Sequence, residues 1–96
     1  MVVKILSALA EPTRLAALRI LWDRGEHCAC ELIARLDATQ SRVSRHMRVL
    51  KDAGLVVDRR DAQWVRYRIN PDLAPETHRL LLAALDLEDI AERNAA

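Results

Sequence analysis

The spacing of hydrophobic residues along the chain predicts five helices. Apolar side chains recur every three to four positions, which is the period of a helix that buries one face. This pattern covers residues 3–9, 12–23, 28–36, 40–53 and 75–93. Pro12 suits the first turn of a helix, while Gly25 and Gly54 suit the positions just beyond a helix end. The chain is therefore predicted to be mostly α-helical.

After Gly54 the hydrophobic period changes from helical to alternating. Residues 55–57 are typical of a strand, and in residues 64–69 every second side chain is apolar. Val65, Tyr67 and Ile69 fall on one face of this second segment, opposite Trp64, Arg66 and Arg68. Because a short polar connection that ends with residues 60–63 joins the two segments, they are predicted to form a β-hairpin.

The helices over 28–36 and 40–53 are separated by a turn of about three residues, with Thr39 or Ser41 as the helix cap. Two short helices joined in this way form a helix-turn-helix. A hairpin that follows the second helix is typical of a winged helix-turn-helix. We therefore expect residues 1–96 to form one such domain, mostly α with a small β-hairpin, with a recognition helix over 40–53 and a wing over 55–69.

The net charge of +1 hides an uneven distribution. Residues 1–39 are neutral, residues 40–70 carry +5 and residues 71–96 carry −4. The basic segment coincides with the recognition helix and the wing. A solvated charged face is the alternative, but the turn length, Gly54 and the hairpin favour double-stranded DNA as the partner. The side chains expected to reach phosphates and base edges are Gln40, Ser41, Arg42, Ser44, Arg45, Arg48 and Lys51 on the helix, and Arg60, Arg66 and Arg68 on the wing.

The last predicted helix is apolar over more than one face. Such a helix needs burial on both sides, and a chain of 96 residues has little core to offer. We expect a homodimer through the N- and C-terminal helices, over about 3–9 and 75–93. The alternative is that the last helix only covers its own domain. The expected interface residues are Ile5, Leu6, Leu9, Leu81 and Leu85.

The two cysteines, Cys28 and Cys30, form a second candidate functional site. Two thiolates select soft metals or metalloids, and a position at a helix N-terminus lowers a thiol pKa. Side chains at i and i+2 of a regular helix point about 200° apart. A mutual disulfide would then be strained, and binding one atom to both sulfurs would distort the first turn. This suggests a switch that re-aims the recognition helix. The alternative is one buried cysteine and one without a role.

The sequence also excludes several classes of protein. No stretch approaches the ~20 apolar residues that span a bilayer, so we expect a cytoplasmic protein with no membrane partner. A thiol oxidoreductase would need Cys-x-x-Cys on a βαβ scaffold, and neither is present. No glycine-rich phosphate loop or catalytic triad is visible either. We therefore expect no enzymatic activity.

Four segments together resemble the ArsR/SmtB family of bacterial metal-sensing repressors. They cover residues 11–15, Glu-Pro-Thr-Arg-Leu; residues 28–32, Cys-Ala-Cys-Glu-Leu; residues 40–47, Gln-Ser-Arg-Val-Ser-Arg-His-Met; and residues 64–68, Trp-Val-Arg-Tyr-Arg. The Cys-x-Cys segment resembles the arsenic- and antimony-responsive branch. The resemblance implies a homodimeric repressor on operator DNA, with Cys28 and Cys30 as ligands and As(III) or Sb(III), inorganic or organic, as inducer rather than a resident cofactor.

One departure from that branch concerns the third metalloid ligand. The third cysteine common in such sensors is replaced by Ile33. The candidates for its place are His27, a hydroxide, a small cellular thiol or a carbon substituent of an organic arsenical. An alternative within the same class is a winged-helix repressor that senses oxidants, Cd(II) or Cu(I) through the same thiols.

Overall fold

A computed structural model describes residues 1–95 and contains the five expected helices. They are α1 (Val2–Leu9), α2 (Pro12–Leu21), α3 (Ala29–Leu36), α4 (Gln40–Asp52) and α5 (Pro75–Ala95). Each begins and ends within about two residues of its predicted bounds. Within residues 1–95 no helix is both long enough and apolar enough to cross a membrane.

The boundaries of α2 show how local chemistry sets a helix end. Glu11 caps its N-terminus, because the carboxylate accepts a hydrogen bond from the backbone N–H of Arg14 at 2.9 Å. At the other end, the helix stops at Leu21, earlier than expected. The left-handed residue that follows is Arg24, with a φ of 72°, and not Gly25. Gly25 therefore lies in the loop beyond the helix and does not cap it.

Three antiparallel strands form the sheet: β1 (His27–Cys28), β2 (Val56–Asp61) and β3 (Trp64–Ile69), in the order β1-β3-β2. The hairpin of β2 and β3 confirms the predicted wing, with Tyr67 and Ile69 buried and Arg68 exposed. Strand β1 was not predicted, because two residues are too short to show an alternating pattern. It extends the wing's sheet back to the segment that carries the cysteines.

The core lies where α2, α3, α4 and α5 meet the sheet. Val43, Met47 and Leu50 of α4 are buried as expected from their i, i+4, i+7 spacing. Three residues that were expected at the dimer interface are instead buried in this chain's own core: Leu9, Leu81 and Leu85. Ile5 is half-buried and Leu6 is exposed. The other large apolar side chains exposed on the terminal helices are Val2, Val3, Leu82, Leu87 and Ile90.

Candidate nucleic-acid interface and thiol pair

A three-residue turn, 37–39, joins α3 to α4 as expected. Asp37 ends α3 in the left-handed region, with a φ of 49°. Thr39 is the N-cap of α4, and its hydroxyl accepts a hydrogen bond from the backbone N–H of Arg42 at 3.3 Å. Because both ends are fixed by local hydrogen bonds, the short turn holds the two helices in a helix-turn-helix.

The predicted DNA-binding side chains share the surface of α4 and the wing. The seven on α4 are all exposed, opposite the buried Val43, Met47 and Leu50. On the wing, Arg60 and Arg68 are exposed and Arg66 is half-buried. The structure therefore places all ten where solvent reaches them, which is what contact with a duplex requires.

Ion pairs engage part of this basic surface. Lys51 of α4 lies 3.0 Å from Asp58 of β2, measured from Nζ to Oδ1. Arg66 donates to Asp61 at 2.7 Å and holds the pKa of that carboxyl below its ordinary value. The first pair ties the recognition helix to the wing, and the second stiffens the wing near its tip. Both pairs therefore hold the wing in place, and each offsets one positive charge with a carboxylate.

A further ion pair fixes the base of the wing. Arg59 of β2 donates to both carboxylate oxygens of Glu26, with its Nε 2.8 Å from Oε2. This hydrogen bonding holds the pKa of Glu26 below its ordinary value and raises that of Arg59. Because Glu26 directly precedes β1, the pair connects the wing to the segment that carries the cysteines.

The guanidinium of Arg14 also lies beside α4, and it was not predicted from the sequence. Arg14 of α2 donates from Nε to the carbonyl of Ala8 at 2.6 Å, from Nη2 to that of Ser7 at 3.3 Å and from Nη1 to Nδ1 of His46 at 3.1 Å. The side chain of His46 is only 18% exposed. No local pattern could have paired positions 14 and 46, because their contact exists only after α2 folds against α4.

The two cysteines meet at the N-terminus of α3. Cys28 is the N-cap residue and is extended, with a φ of −64° and a ψ of 144°, while Cys30 lies in the first turn. Their sulfurs are joined in a disulfide, with the Cα atoms 5.1 Å apart. The expectation that the side chains diverge was wrong, because Cys28 lies outside the helix. Both sulfurs can therefore face one atom without unwinding α3.

His27 directly precedes Cys28, but its ring nitrogens contact two carboxylates. Its Nε2 lies 2.9 Å from Asp23 and its Nδ1 2.9 Å from Glu31. Hydrogen bonds that His27 donates to Asp23, and then to Glu31, raise the pKa of the histidine, and the histidine lowers the pKa of both carboxyls. Among residues 1–95 no three His, Cys, Asp or Glu side chains are grouped to hold a metal ion. The structure thus does not bring His27 to the sulfurs as a third ligand.

Strand β1 connects the thiol pair to the wing. Cys28 pairs with Arg66 of β3, and His27 pairs with Tyr67. Arg66 is paired in turn with Arg59 of β2. Because directly opposite residues in an antiparallel sheet point to the same face, Cys28 shares a face with two arginines of the wing.

The chain is similar in sequence to known regulators of arsenic resistance. The chain is 38% identical over 81 residues to the arsenic resistance transcriptional regulator ArsR2 of Pseudomonas putida, covering 84% of this chain and 70% of that protein. It is 38% identical over 71 residues to the arsenical resistance operon repressor of Escherichia coli, covering 74% of this chain and 61% of that protein. The chain thus spans roughly two thirds of the length of these relatives.

Solved structures share the fold. The homodimeric winged helix-turn-helix domain of a possible ArsR-family regulator from Mycobacterium bovis aligns with a TM-score of 0.75 at 27% identity, covering 92% of this chain and 78% of that one. The antimony-specific transcriptional repressor AntR also aligns with a TM-score of 0.75, at 30% identity, covering 96% of this chain and 80% of that one. These proteins are DNA-binding transcriptional regulators and not enzymes.

The family assignment agrees with the fold and with the position of the thiol pair. Residues 2–57 match the family described as bacterial regulatory protein, arsR family. The matched segment includes α1, α2, the two cysteines and the whole helix-turn-helix. The chain therefore belongs to the ArsR family of bacterial transcriptional regulators, and it is a repressor related to those of arsenic and antimony.

Proposed function

We propose that this protein binds operator DNA as a homodimer and releases it when As(III) or Sb(III) binds Cys28 and Cys30. The observation that carries the proposal is the meeting of the two sulfurs at the start of α3, in direct strand pairing with the wing. The names of the arsenic-resistance relatives and of the antimony-specific repressor support the same inducers.

Metalloid binding requires both cysteines as thiols. A cellular dithiol or two monothiols first supply two electrons and two protons to the disulfide. Each thiol then displaces one hydroxide of arsenous acid as water, which forms two As–S bonds. Because both ring nitrogens of His27 already contact carboxylates, we assign the third position to a hydroxide, a small thiol or the carbon of an organic arsenical.

The release step follows from where Cys28 lies. Holding one metalloid atom between the sulfurs sets a new distance between the N-cap of α3 and its first turn. That change reaches α4 through its packing against α3, and it reaches the wing through the pairing of Cys28 with Arg66. For induction, the metalloid must bind the DNA-free conformation more tightly, because only differential affinity shifts the equilibrium.

The proposed DNA-binding surface of the protein consists of α4 and the wing. The helix enters the major groove with its exposed face, and Arg60, Arg66 and Arg68 lie over the adjoining backbone. The second copy supplies the other half-site. The dimer uses Leu6 of α1 together with Leu87 and Ile90 of α5, all of which are exposed, and the homodimeric relative from Mycobacterium bovis supports this assembly.

The test is DNA-binding anisotropy on the region upstream of the gene, at fixed salt because phosphate contacts make affinity salt-dependent. Arsenite, methylarsenite, phenylarsenite and antimonite should release the reduced protein. Cys28→Ser and Cys30→Ser should bind the same DNA normally and remain bound. Release of the double Cys28→Ser, Cys30→Ser variant by an arsenical would rule out the site.

A second candidate is a repressor that senses oxidants through the same thiols, and the observed disulfide favours it. One peroxide would accept two electrons and two protons from the thiols, forming the disulfide and two waters. Release by peroxide but not by arsenicals would select this function. Release by Cd(II) or Cu(I) alone would select another soft-metal sensor.

A further inference from the structure

The flank of α4 that faces α2 carries a concave cationic surface. It encloses about 240 Å³ and is lined by Arg14, Arg42, Arg45, His46 and Val49. None of the lining side chains is acidic, and three of them are arginines. The space accommodates a tetrahedral anion such as a phosphate.

Arg14 is held in position for such an anion. Three of its five N–H donors are engaged, by the carbonyls of Ala8 and Ser7 and by Nδ1 of His46. One N–H remains on each terminal nitrogen, which is the arrangement that binds two oxygens of one phosphate. Because arginine cannot accept a hydrogen bond, Nδ1 of His46 is the acceptor of this bond.

The other two arginines complete the surface from α4. Arg42 and Arg45 are one turn apart and exposed, and within residues 1–95 neither guanidinium makes a hydrogen bond or ion pair. The opposite flank of α4 differs, because Lys51 is engaged there by Asp58 of the wing. The two flanks of the recognition helix are therefore not equivalent.

We propose that the pocket formed by Arg14, Arg42, Arg45 and His46 binds a backbone phosphodiester of the operator. The inference deepens the proposed function, on which it rests, and it adds a DNA contact from α2, outside the helix-turn-helix. A phosphate held here fixes the depth and tilt of α4 in the groove. Gln40, Ser44 and Arg48, on the far flank, then face the base edges.

The test compares Arg42→Gln and Arg14→Gln with Arg79→Gln, which removes an equal charge from an exposed position on α5. Each pocket variant should weaken binding to operator and to random DNA by the same factor, roughly tenfold near 0.1 M salt, and reduce the salt slope by about one. Arg79→Gln should change neither. Because Arg14 also ties α1 to α2, Arg42→Gln carries the test if the Arg14 variant does not fold.

Combined variants test whether the arginines hold one phosphate. Arg14→Gln with Arg42→Gln should cost less than the sum of the single losses, whereas Arg42→Gln with Arg48→Gln should be additive. An unchanged salt slope in Arg42→Gln, or a loss confined to operator DNA, would overturn the proposal. Failure of the unmodified protein to bind its upstream DNA would instead contradict the proposed function.

Titration with inorganic phosphate separates a DNA-specific site from a general anion site. Shifts of the His46 NMR signals at millimolar phosphate, lost in Arg42→Gln, would support the pocket and show that it also accepts free anion. The same shifts only on adding duplex DNA would support a pocket completed by the duplex. No shift with either ligand would contradict the assignment.

Discussion

Cys28 lies directly opposite Arg66 in the antiparallel pairing of β1 with β3. The thiol pair and the wing therefore belong to one sheet. A change at the N-cap of α3 can reach the hairpin of β2 and β3 across a single strand pair, without passing through α4.

Metalloid binding at the thiols should be visible at the wing. The chain has two tryptophans, and Trp64 begins β3, so Trp22→Phe leaves Trp64 as the sole indole reporter. Adding arsenite to this reduced variant should change the Trp64 emission because β3 moves with Cys28. The same titration on a Cys30→Ser background should leave the emission unchanged. A response that persists without Cys30 would disconnect the wing from the thiol pair.

The assembly of two chains should depend on one flank of α5. Leu87 is 67% exposed and Ile90 is 44% exposed, and the two lie one turn apart on the same flank. Leu87→Glu should therefore shift the protein toward monomer in sedimentation equilibrium, because a charge would be buried in the interface. Leu82→Glu is the matched control, since Leu82 lies on the other flank beside Asp86 and Asp89. Equal dissociation by both variants would contradict the assignment of the interface.

The end of the recognition helix should depend on glycine. Gly54 has a φ of +79°, and a Cβ there would meet no atom within 4 Å, so only the backbone conformation opposes a side chain. Gly54→Ala should lower the free energy of unfolding by about 1–2 kcal/mol, measured in urea. Gly25→Ala should cost less, because its backbone is not left-handed and its close neighbour is the exposed side chain of Asp23. Similar losses for both would show that conformation at residue 54 is not the cause.

The single tyrosine, Tyr67, should lose its phenolic proton at a higher pH than an ordinary tyrosine does. Burial raises the pKa of Tyr67 above its ordinary value, and the charge of Asp58 adds to this effect. Tyrosinate absorbance should therefore appear above pH 10 in the folded protein. The folded state binds this proton more tightly than the unfolded state does. The stabilisation is thus complete below about pH 10 and is lost as the pH rises through the raised pKa.

Tyr67→Phe serves as the control for this titration. It should remove the absorbance change and flatten the decline in stability relative to the unmodified protein above pH 10. A tyrosine that titrates at its ordinary value would mean that the sheet exposes Tyr67 to solvent.

The sequence by itself determined the elements and their order, because hydrophobic period, helix caps and turn length are properties of neighbouring residues. The buried face of α4 and the alternation in β3 followed from positions two to seven residues apart. The same local information could not predict β1, whose two residues are a strand only because β3 lies beside them.

Only the tertiary structure decided which distant groups meet. It joined Arg14 to His46 across 32 positions and engaged His27 with two carboxylates. It also placed Leu81 and Leu85 inside the chain's own core, where sequence reasoning expected a partner. The convergence of Cys28 and Cys30 was decided in the same way, because the pairing of Cys28 with Arg66 keeps it extended and outside the helix.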